Sequence, residues 1–396
     1  MTYARARLWL GMSGVGLIVV LSLLSLFSQM HPGFLTTSQT WSSGDIKGLT
    51  LLFGCLAGFL FPLDVLGGYV LPKSWQLNTP SWWRFFRSWV RGTGAQGILF
   101  IGAGCLILQM GRSLGLPGAV LAVGAIASAL VIGQLQIAKL VGSLPTTTTG
   151  SEDFPNIQQA ESIVASWGWK PRPITVLEHQ DTGFTGGIVG VPGMETIVLP
   201  ASLPLELSPD QLAIVIARRM EAIQGGSRTR GITLALLWVI LGFTLSAMVP
   251  GAGVSSVAEL SLTCMGFTVW TFVGLLTLPT LSRQAAHAID GKVLRAGAPT
   301  EVFKRTVKKL DTFQDDEPQR PNLVEAIFHP VPSVENRGVE NRSDENNGVI
   351  SAESTPIAWH AARITLFLSW ACMGTLVRAV HCNVGRPELW VMLPTD

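Results

Sequence analysis

The chain has 396 residues, of which 48% are hydrophobic and 14% are charged. Because soluble domains carry about 25% charged residues, this composition indicates an integral membrane protein. A formal net charge of +2, without a long basic arm, argues against a nucleic-acid partner.

Seven apolar runs follow one another along the chain. Arg5 and Arg7 precede the first run, and no small-residue cleavage site follows it, so we read an uncleaved membrane anchor. A helix needs roughly 20 apolar residues to cross a bilayer, and the last run is the weakest because it carries Arg363 and Arg378 near its ends. The runs cover residues 8–27, 49–71, 95–110, 116–141, 232–250, 258–281 and 361–380.

Lysine and arginine residues concentrate before the first run and in alternate loops after it. Such loops face the cytoplasm in most membrane proteins. The pattern predicts that the N-terminus, the main polar domain and residues 282–360 are cytoplasmic, in a prokaryotic-type inner or internal membrane. The last span then places the C-terminus on the other side.

The segment SWWRFFRSWVR, residues 81–91, joins the second and third runs. Its arginines share one helical face and its aromatic rings cover much of the rest, as in helices that lie at the headgroup level. We predict an interfacial helix in contact with lipid, with a docking surface for another membrane protein as the alternative. The residues concerned are Trp82, Trp83, Arg84, Phe86, Arg87, Trp89 and Arg91.

Asp64 lies inside the second apolar run. A carboxylate at membrane depth is costly unless it is paired or hydrated, which makes it a candidate for ion or proton movement. Pro62 and the pair Gly67-Gly68 instead favour a break in the helix that places Asp64 near the interface.

A polar domain occupies residues 142–231. The stretch TTTTGSEDFP reads as a linker, and NIQQAESIVASWG has helical periodicity. ITVLEH, FTGGIVGV and ETIVLP read as three short strands separated by glycine and proline. Ser208-Pro209-Asp210 then predicts the start of a helix, with a capping serine and a proline at the first helical position.

That helix carries AIVIARRMEAIQ, and the order of segments after it is distinctive. Two membrane spans follow as a hairpin, then LSRQAAHAIDGKVLRAG, then FHPVPSVENR. This order resembles the HtpX and CAAX prenyl protease family of membrane zinc peptidases, metallopeptidase family 48, over about residues 174–337. In that family an H-E-x-x-H helix is followed by a membrane hairpin, by S-R-x-x-E-x-x-A-D and by H-P-x-x-x-x-R.

The resemblance implies an α-helical integral membrane protein with about seven spans and a cytoplasmic α+β zinc-peptidase-like domain split by a transmembrane hairpin. Residues 338–358 are polar, without apolar periodicity, and are predicted to form a disordered loop. The predicted organisation is a four-span membrane region 1–141, a first part of the peptidase-like domain 142–231, the hairpin 232–281, a second part 282–337, the loop 338–358 and a last span with its tail 359–396.

The catalytic positions of the family are all replaced. Its two histidine ligands fall on Arg218 and Ala222, its catalytic glutamate on Arg219 and its glutamate ligand on Ala286. Alanine has no donor atom, and a guanidinium group stays cationic and cannot coordinate zinc. The resemblance therefore implies a pseudopeptidase without a metal or another cofactor.

Other polar residues of the motifs are retained or lie close to them. Asp290 matches the late aspartate of the second motif. The histidine and arginine of the third motif are present as His329 and Arg337, with the arginine slightly further along the chain than in the family pattern. We expect Arg218 or Arg219 to pair with Glu221 or Asp290 and to join the two motif helices in place of the metal. The candidate binding or cleft residues are Glu221, Arg283, His287, Asp290, His329 and Arg337.

The expected function is non-catalytic binding of other membrane proteins or polypeptide segments, in assembly or quality control. The strand region Thr182–Pro200 is the predicted peptide-binding edge. An active metallopeptidase with a rebuilt metal site is the alternative, since His287 and Asp290 are three residues apart on one helix. A transporter is the third possibility, and it would require more ionisable residues within the spans than Asp64.

Overall fold

The computed structural model describes residues 3–29, 33, 35, 37–38, 40, 42–76, 81–141, 148–150, 153–178, 184–313, 364–380 and 384–385, without the side chains of residues 4, 141, 148–150 and 279–287. The chain divides into two compact units. The membrane unit comprises residues 1–143, 235–274 and 365–391, and the sheet unit comprises residues 144–234, 275–364 and 392–396.

Helices make up the described part of the membrane unit. Within the described residues, five helical stretches are long and apolar enough to cross a membrane: 5–28, 43–74, 82–132, 227–247 and 257–278. The helices are α1 (Tyr3–Ser28), α2 (Ser43–Val65), α3 (Leu71–Ser74), α4 (Trp82–Ile132) and α5 (Gln134–Val141), with parts of α9 (Ser227–Ala247) and α10 (Val257–Arg295). The chain is therefore an integral membrane protein.

Helix α4 contains both the third and the fourth predicted spans. Its 51 residues would extend about 77 Å at the usual helical rise, more than twice the roughly 30 Å hydrocarbon core. Gly115 interrupts it with φ 67° and ψ −160°, a backbone conformation open to glycine, and Pro117 follows two residues later. The interruption separates two helical segments that match the two apolar runs.

The seventh predicted span is wrong as a continuous helix. Residues 364–368 form a short helical stretch, followed by 3₁₀ turns at Ser369–Cys372 and Leu376–Arg378. Met373 between the two turns has φ 58°, which ends the first one. Hydropathy marks these residues as buried, but it does not distinguish burial in lipid from burial within the protein.

The predicted break near Asp64 is also wrong. Helix α2 continues through Pro62, and a π-helical turn, Leu66–Val70, connects it to α3 without interruption. A π turn uses backbone hydrogen bonds five residues apart, here from the Leu71 amide to the Leu66 carbonyl, so the helical path continues through Gly67 and Gly68.

The predicted interfacial segment 81–91 is not a separate helix. Ser81 caps α4 by accepting a hydrogen bond from the Arg84 amide at 3.4 Å, and the helix then runs on through the third apolar run. The aromatic and arginine residues thus form the first turns of a spanning helix.

The sheet unit contains a four-stranded sheet with the order β1-β2-β4-β3. The central strands β2 and β4 are parallel, with Ile174 opposite Ile197, and both edge strands are antiparallel to their neighbours. The strands are β1 (Thr148–Gly150), β2 (Ile174–Leu177), β3 (Gly187–Val189) and β4 (Thr196–Pro200). The three predicted strands are confirmed, whereas the predicted linker contributes the additional edge strand β1.

Helices pack against this sheet around one apolar core. They are α6 (Pro155–Ser166), α7 (Leu203–Glu206), α8 (Pro209–Gln224) and α11 (Thr300–Phe313), together with parts of α9 and α10. The core joins Val176 and Leu199 of the sheet to Ile157 of α6, Ile216 of α8 and Val307 of α11. The site described below lies on this core.

Within the membrane unit, α9 and α10 are in close contact. Trp270 donates its Nε1 hydrogen to the Trp238 carbonyl at 3.0 Å, and the two ring centroids are 4.6 Å apart. Gly242 makes room for this ring, because a Cβ at that position would overlap Trp270. The absence of a side chain at Gly242 is thus a packing requirement of the helix pair.

Candidate functional site

Helix α8 begins as the sequence predicts. The Ser208 hydroxyl accepts from the Gln211 amide at 3.4 Å, and the Gln211 side chain accepts from the Ser208 amide at 3.2 Å, with Pro209 at the first helical position. Every residue of α8 from Leu212 to Met220 is buried. A polar side chain on this part of the helix must therefore find its partners inside the protein.

Arg218 meets Asp290 of α10 in the interior of the sheet unit. Its Nε donates to Asp290 Oδ1 at 2.9 Å, and the two side chains are only 5% and 4% exposed. This confirms the predicted pairing of a motif arginine with Asp290. A buried cation and carboxylate thus connect the first motif helix to the second.

Arg219 turns toward the sheet instead. Its Nη2 donates to the Thr185 carbonyl at 2.7 Å, just before strand β3. Gly186, with φ 99°, lets the guanidinium approach, because a Cβ there would lie 3.1 Å from Arg219 Nη1 and would overlap the Val198 carbonyl. Arg219, which the motif resemblance aligns with the family's catalytic glutamate, therefore binds the start of an edge strand.

Glu221 does not pair with either motif arginine. It accepts from Lys292 Nζ of α10 at 2.6 Å and from Trp169 Nε1 at 3.2 Å. The Lys292 side chain is 45% exposed, so this contact lies at the margin of the site. Of the two carboxylates expected as partners of the motif arginines, Asp290 is therefore the one that pairs with Arg218, and Glu221 pairs with Lys292.

The residues present do not fit a zinc ion. The positions that the resemblance aligns with the zinc motif hold the guanidinium groups of Arg218 and Arg219 and the methyl group of Ala222, and neither kind of group can donate an electron pair to a metal. Within the part of the chain whose side chains are described, no three His, Cys, Asp or Glu residues come together as a metal site. Asp290, the retained carboxylate of the second motif helix, accepts from Arg218 through Oδ1.

Arg228, one of the positive residues between the fourth and fifth apolar runs, is buried at the start of α9. Its Nη2 donates to the Gly190 carbonyl at 2.8 Å, at the end of strand β3. Glu195 is also buried and accepts from the Gly193 amide at 2.9 Å in the turn between β3 and β4. Arg219 and Arg228 thus bind the carbonyls on either side of β3.

Asp64, the candidate for ion movement, is buried in an ion pair with Arg378 at 2.6 Å. A second buried pair, Asp45 with Arg112 at 3.0 Å, was missed by sequence reasoning. A signal was available, since these two aspartates are the only acidic residues among the first 151. Each acidic residue in so apolar a region requires a cationic partner.

The aromatic turns at the start of α4 are largely exposed. Trp83 is 70% exposed, and Phe86 stacks on Trp82, with 6.2 Å between centroids and 23° between planes, and on Trp89, with 6.2 Å and 16°. Arg91 donates to the carbonyls of Lys139 and Leu140 at the end of α5. Exposed indole rings beside arginines suit the boundary between lipid and water.

Several predicted site residues lie outside the described part of the chain. His329 and Arg337, the predicted loop 338–358 and Thr182 at the start of the predicted binding edge belong to this group. Arg283, Ala286 and His287 lie on the backbone of α10, but their side chains are not among those described. Their predicted roles stay predictions.

The fold defines an integral membrane protein with a metallopeptidase-like fold. Among solved structures, the crystal structure of Ste24p from S. mikatae is similar, with a TM-score of 0.63 at 15% sequence identity over 75% of each chain. The predicted likeness to the HtpX and CAAX prenyl protease family is thereby confirmed at the level of the fold. No protein-family profile and no curated protein sequence matches the chain.

Proposed function

We propose that this protein is a non-catalytic member of the metallopeptidase-like membrane proteins and that it binds membrane proteins or polypeptide segments in their assembly or quality control. The observation that carries the proposal is the Arg218–Asp290 pair, 2.9 Å long and buried. By the motif resemblance, this pair puts a permanent cation at the position where the family binds a divalent one, and that cation engages a retained carboxylate.

The position of Arg219 supports the same conclusion. Water activation by a metallopeptidase needs a carboxylate that accepts a proton. Arg219 offers only donors, and one of them is used on the Thr185 carbonyl. The chemistry at this position is structural, because the guanidinium stabilises the start of β3 and has no proton-accepting form at working pH.

Strand β3 is the element that we expect to bind a peptide. It is an edge strand of the sheet, and an extended peptide can add to such an edge through backbone hydrogen bonds. Arg219 and Arg228 donate to the carbonyls of Thr185 and Gly190, on either side of the strand. Holding both ends reduces the conformational entropy that the strand loses on binding.

The experiment is to measure zinc per chain in full-length protein purified in detergent without chelator, together with hydrolysis of an unfolded protein substrate. We expect substoichiometric zinc and no hydrolysis. The matched control is a variant that restores the donors, with Arg218→His, Arg219→Glu, Ala222→His and Ala286→Glu, for which we expect zinc to rise toward one per chain. Stoichiometric zinc with hydrolysis in the unaltered chain would establish the active metallopeptidase, with His287 as the first residue to mutate.

A transporter is a weaker candidate. The membrane unit holds more ionisable side chains than the sequence suggested, in the pairs Asp45–Arg112 and Asp64–Arg378. Each carboxylate faces a guanidinium group at hydrogen-bond distance, which favours a structural role for both pairs.

The orientation in the membrane is part of the proposal. Positive residues favour a cytoplasmic N-terminus and a cytoplasmic sheet unit in a prokaryotic-type inner or internal membrane. The exposed rings and arginines of residues 82–91 support a contact with lipid headgroups at the cytoplasmic boundary of the membrane. Protease protection in sealed inside-out vesicles tests the orientation, since digestion of the sheet unit is expected there and protection would contradict it.

A further inference from the structure

An interior segment of the membrane unit, residues 365–380 with Val384 and Gly385, is almost completely enclosed. Every residue from Phe367 to Val380 is buried, as are Val384 and Gly385. The backbone is irregular, with two 3₁₀ turns and a left-handed Met373. Irregular backbone at membrane depth is tolerated only where protein or a water-filled cavity surrounds it, so we infer that this interior segment is inside the unit.

All five long helices contact the interior segment. Ala379 lies against Gly14 of α1, and the Trp370 ring lies 6.5 Å from Phe53 of α2 and 5.8 Å from Phe100 of α4, measured between centroids. The remaining two contacts are Cys372 Sγ with the Val239 carbonyl of α9 at 3.8 Å and Thr375 Oγ1 with Thr268 Oγ1 of α10 at 3.2 Å.

One charged group of the segment has a polar site built around it. Arg378 donates to Asp64 at 2.6 Å, to Gln96 at 2.9 Å and to Thr93 at 3.3 Å. Asp64 also accepts from Trp89 Nε1 at 2.8 Å. Side-chain exposure is 1% for Arg378 and 2% for Asp64, so this position selects a cation over a neutral or acidic residue.

The backbone of the interior segment also packs directly against the π turn after α2. Asp64 Oδ1 accepts from the Gly385 amide at 3.0 Å. A Cβ at Gly68 would overlap the Gly385 carbonyl, and one at Gly67 would lie 2.6 Å from Val384 Cγ1. The paired glycines of the sequence thus allow two stretches of backbone to touch.

We propose that the interior of the membrane unit is a binding site for an apolar, irregular polypeptide segment bearing one cation, and that the interior segment is its built-in occupant. The inference rests on the proposed function and names the class of polypeptide that this unit takes. Aromatic rings, backbone contact at glycine and one carboxylate are the means of recognition. A foreign segment with the same chemistry competes with the interior segment and displaces it.

The test measures how fast maleimide labels Cys372 of the interior segment in the full-length protein in nanodiscs. Cys264 of α10 is equally buried and serves as the internal control, because it reports unfolding of the whole unit. The other cysteines are removed by Cys55→Ser, Cys105→Ser and Cys382→Ser. The probe is a synthetic peptide of residues 364–385 with serine in place of its cysteines, compared with the same peptide carrying Arg378→Asp.

With excess native-sequence peptide, we expect maleimide to label Cys372 at least about tenfold faster, while the labelling rate of Cys264 stays unchanged. The peptide carrying Arg378→Asp should leave both labelling rates unchanged. In the chain itself, Arg378→Gln should accelerate Cys372 labelling without peptide. Cys372 labelling that responds to neither peptide nor Arg378→Gln would overturn the proposal, and so would acceleration of both cysteines together. If Arg378→Gln does not accumulate, the peptide experiment on the native ion pair still decides.

Failure of this inference is distinguishable from failure of the proposed function. Zinc content and hydrolysis report on the sheet unit and are unaffected by whether the interior segment exchanges. Slow Cys372 labelling with substoichiometric zinc would remove the interior site and leave the non-catalytic function standing.

Discussion

Arg218 on α8 and Asp290 on α10 are joined by an Nε–Oδ1 hydrogen bond of 2.9 Å in the buried interior of the sheet unit. The next residue, Arg219, donates from its guanidinium group to the carbonyl of Thr185, which lies 34 residues earlier in the chain. The two consecutive arginines therefore connect α8 to two different elements, a helix and an edge strand.

Removing one member of the Arg218–Asp290 pair should lower the free energy of unfolding of the sheet unit. Arg218→Met takes away the guanidinium and keeps much of the side-chain volume, and breaking a buried ion pair in this way destabilises by about 3–5 kcal/mol. The double variant Arg218→Met with Asp290→Leu should recover most of that loss, because neither member of the pair is then left buried without the other. Denaturant unfolding in detergent, followed by a probe in the sheet unit, measures both, and equal stability of the single variant and the unaltered chain would contradict the prediction.

The Glu221–Lys292 pair connects the same two helices but should matter little. Lys292 is 45% exposed, and exposed ion pairs contribute about 0–1 kcal/mol. Lys292→Met should therefore shift the unfolding midpoint far less than Arg218→Met in the same assay. A loss as large as that of Arg218→Met would mean that the margin of the site, and not its buried pair, holds the helices together.

Alanine substitutions at Gly186 and Gly193 distinguish the effect of backbone strain from that of steric conflict next to Arg219. Gly186 and Gly193 both have positive φ, 99° and 90°, so alanine is strained at either position. A Cβ at Gly186 overlaps the Val198 carbonyl and crowds Arg219, whereas nothing lies within 4 Å of one at Gly193. Gly186→Ala should thus lower the thermal unfolding midpoint clearly more than Gly193→Ala, and similar shifts would show that the approach of Arg219 to β3 adds nothing.

Local features of this chain were predictable because their causes are local. Ser208-Pro209 specifies a helix start by capping and by the fixed φ of proline, and the strands β2, β3 and β4 are bounded by glycine and proline. The Arg218–Asp290 contact followed from the motif order, which places two helices side by side.

Long-range pairing was not predictable in the same way. Asp64 and its partner Arg378 are 314 positions apart, and hydropathy assigned the region of Arg378 to a seventh span. The same limitation applies to Arg228, whose burial depends on the Gly190 carbonyl rather than on its neighbours in sequence. Hydrophobic periodicity indicates which residues are buried, but it does not indicate which distant groups pair with the buried polar side chains.

Stability of the sheet unit should depend on the ionisation of Glu161 on α6. Burial raises the pKa of this carboxyl group above its ordinary value of 4.5, so the folded state binds the proton more tightly than the unfolded state does. The contribution of Glu161 is fully present below pH 4.5 and is lost as pH rises through the raised pKa. Glu161→Gln should raise the unfolding midpoint at neutral pH, and the difference should vanish in acid. Asp153→Asn, at an exposed position before the same helix, is the control; a pH-independent gain from Glu161→Gln would mean that packing or helix propensity, and not ionisation, is responsible.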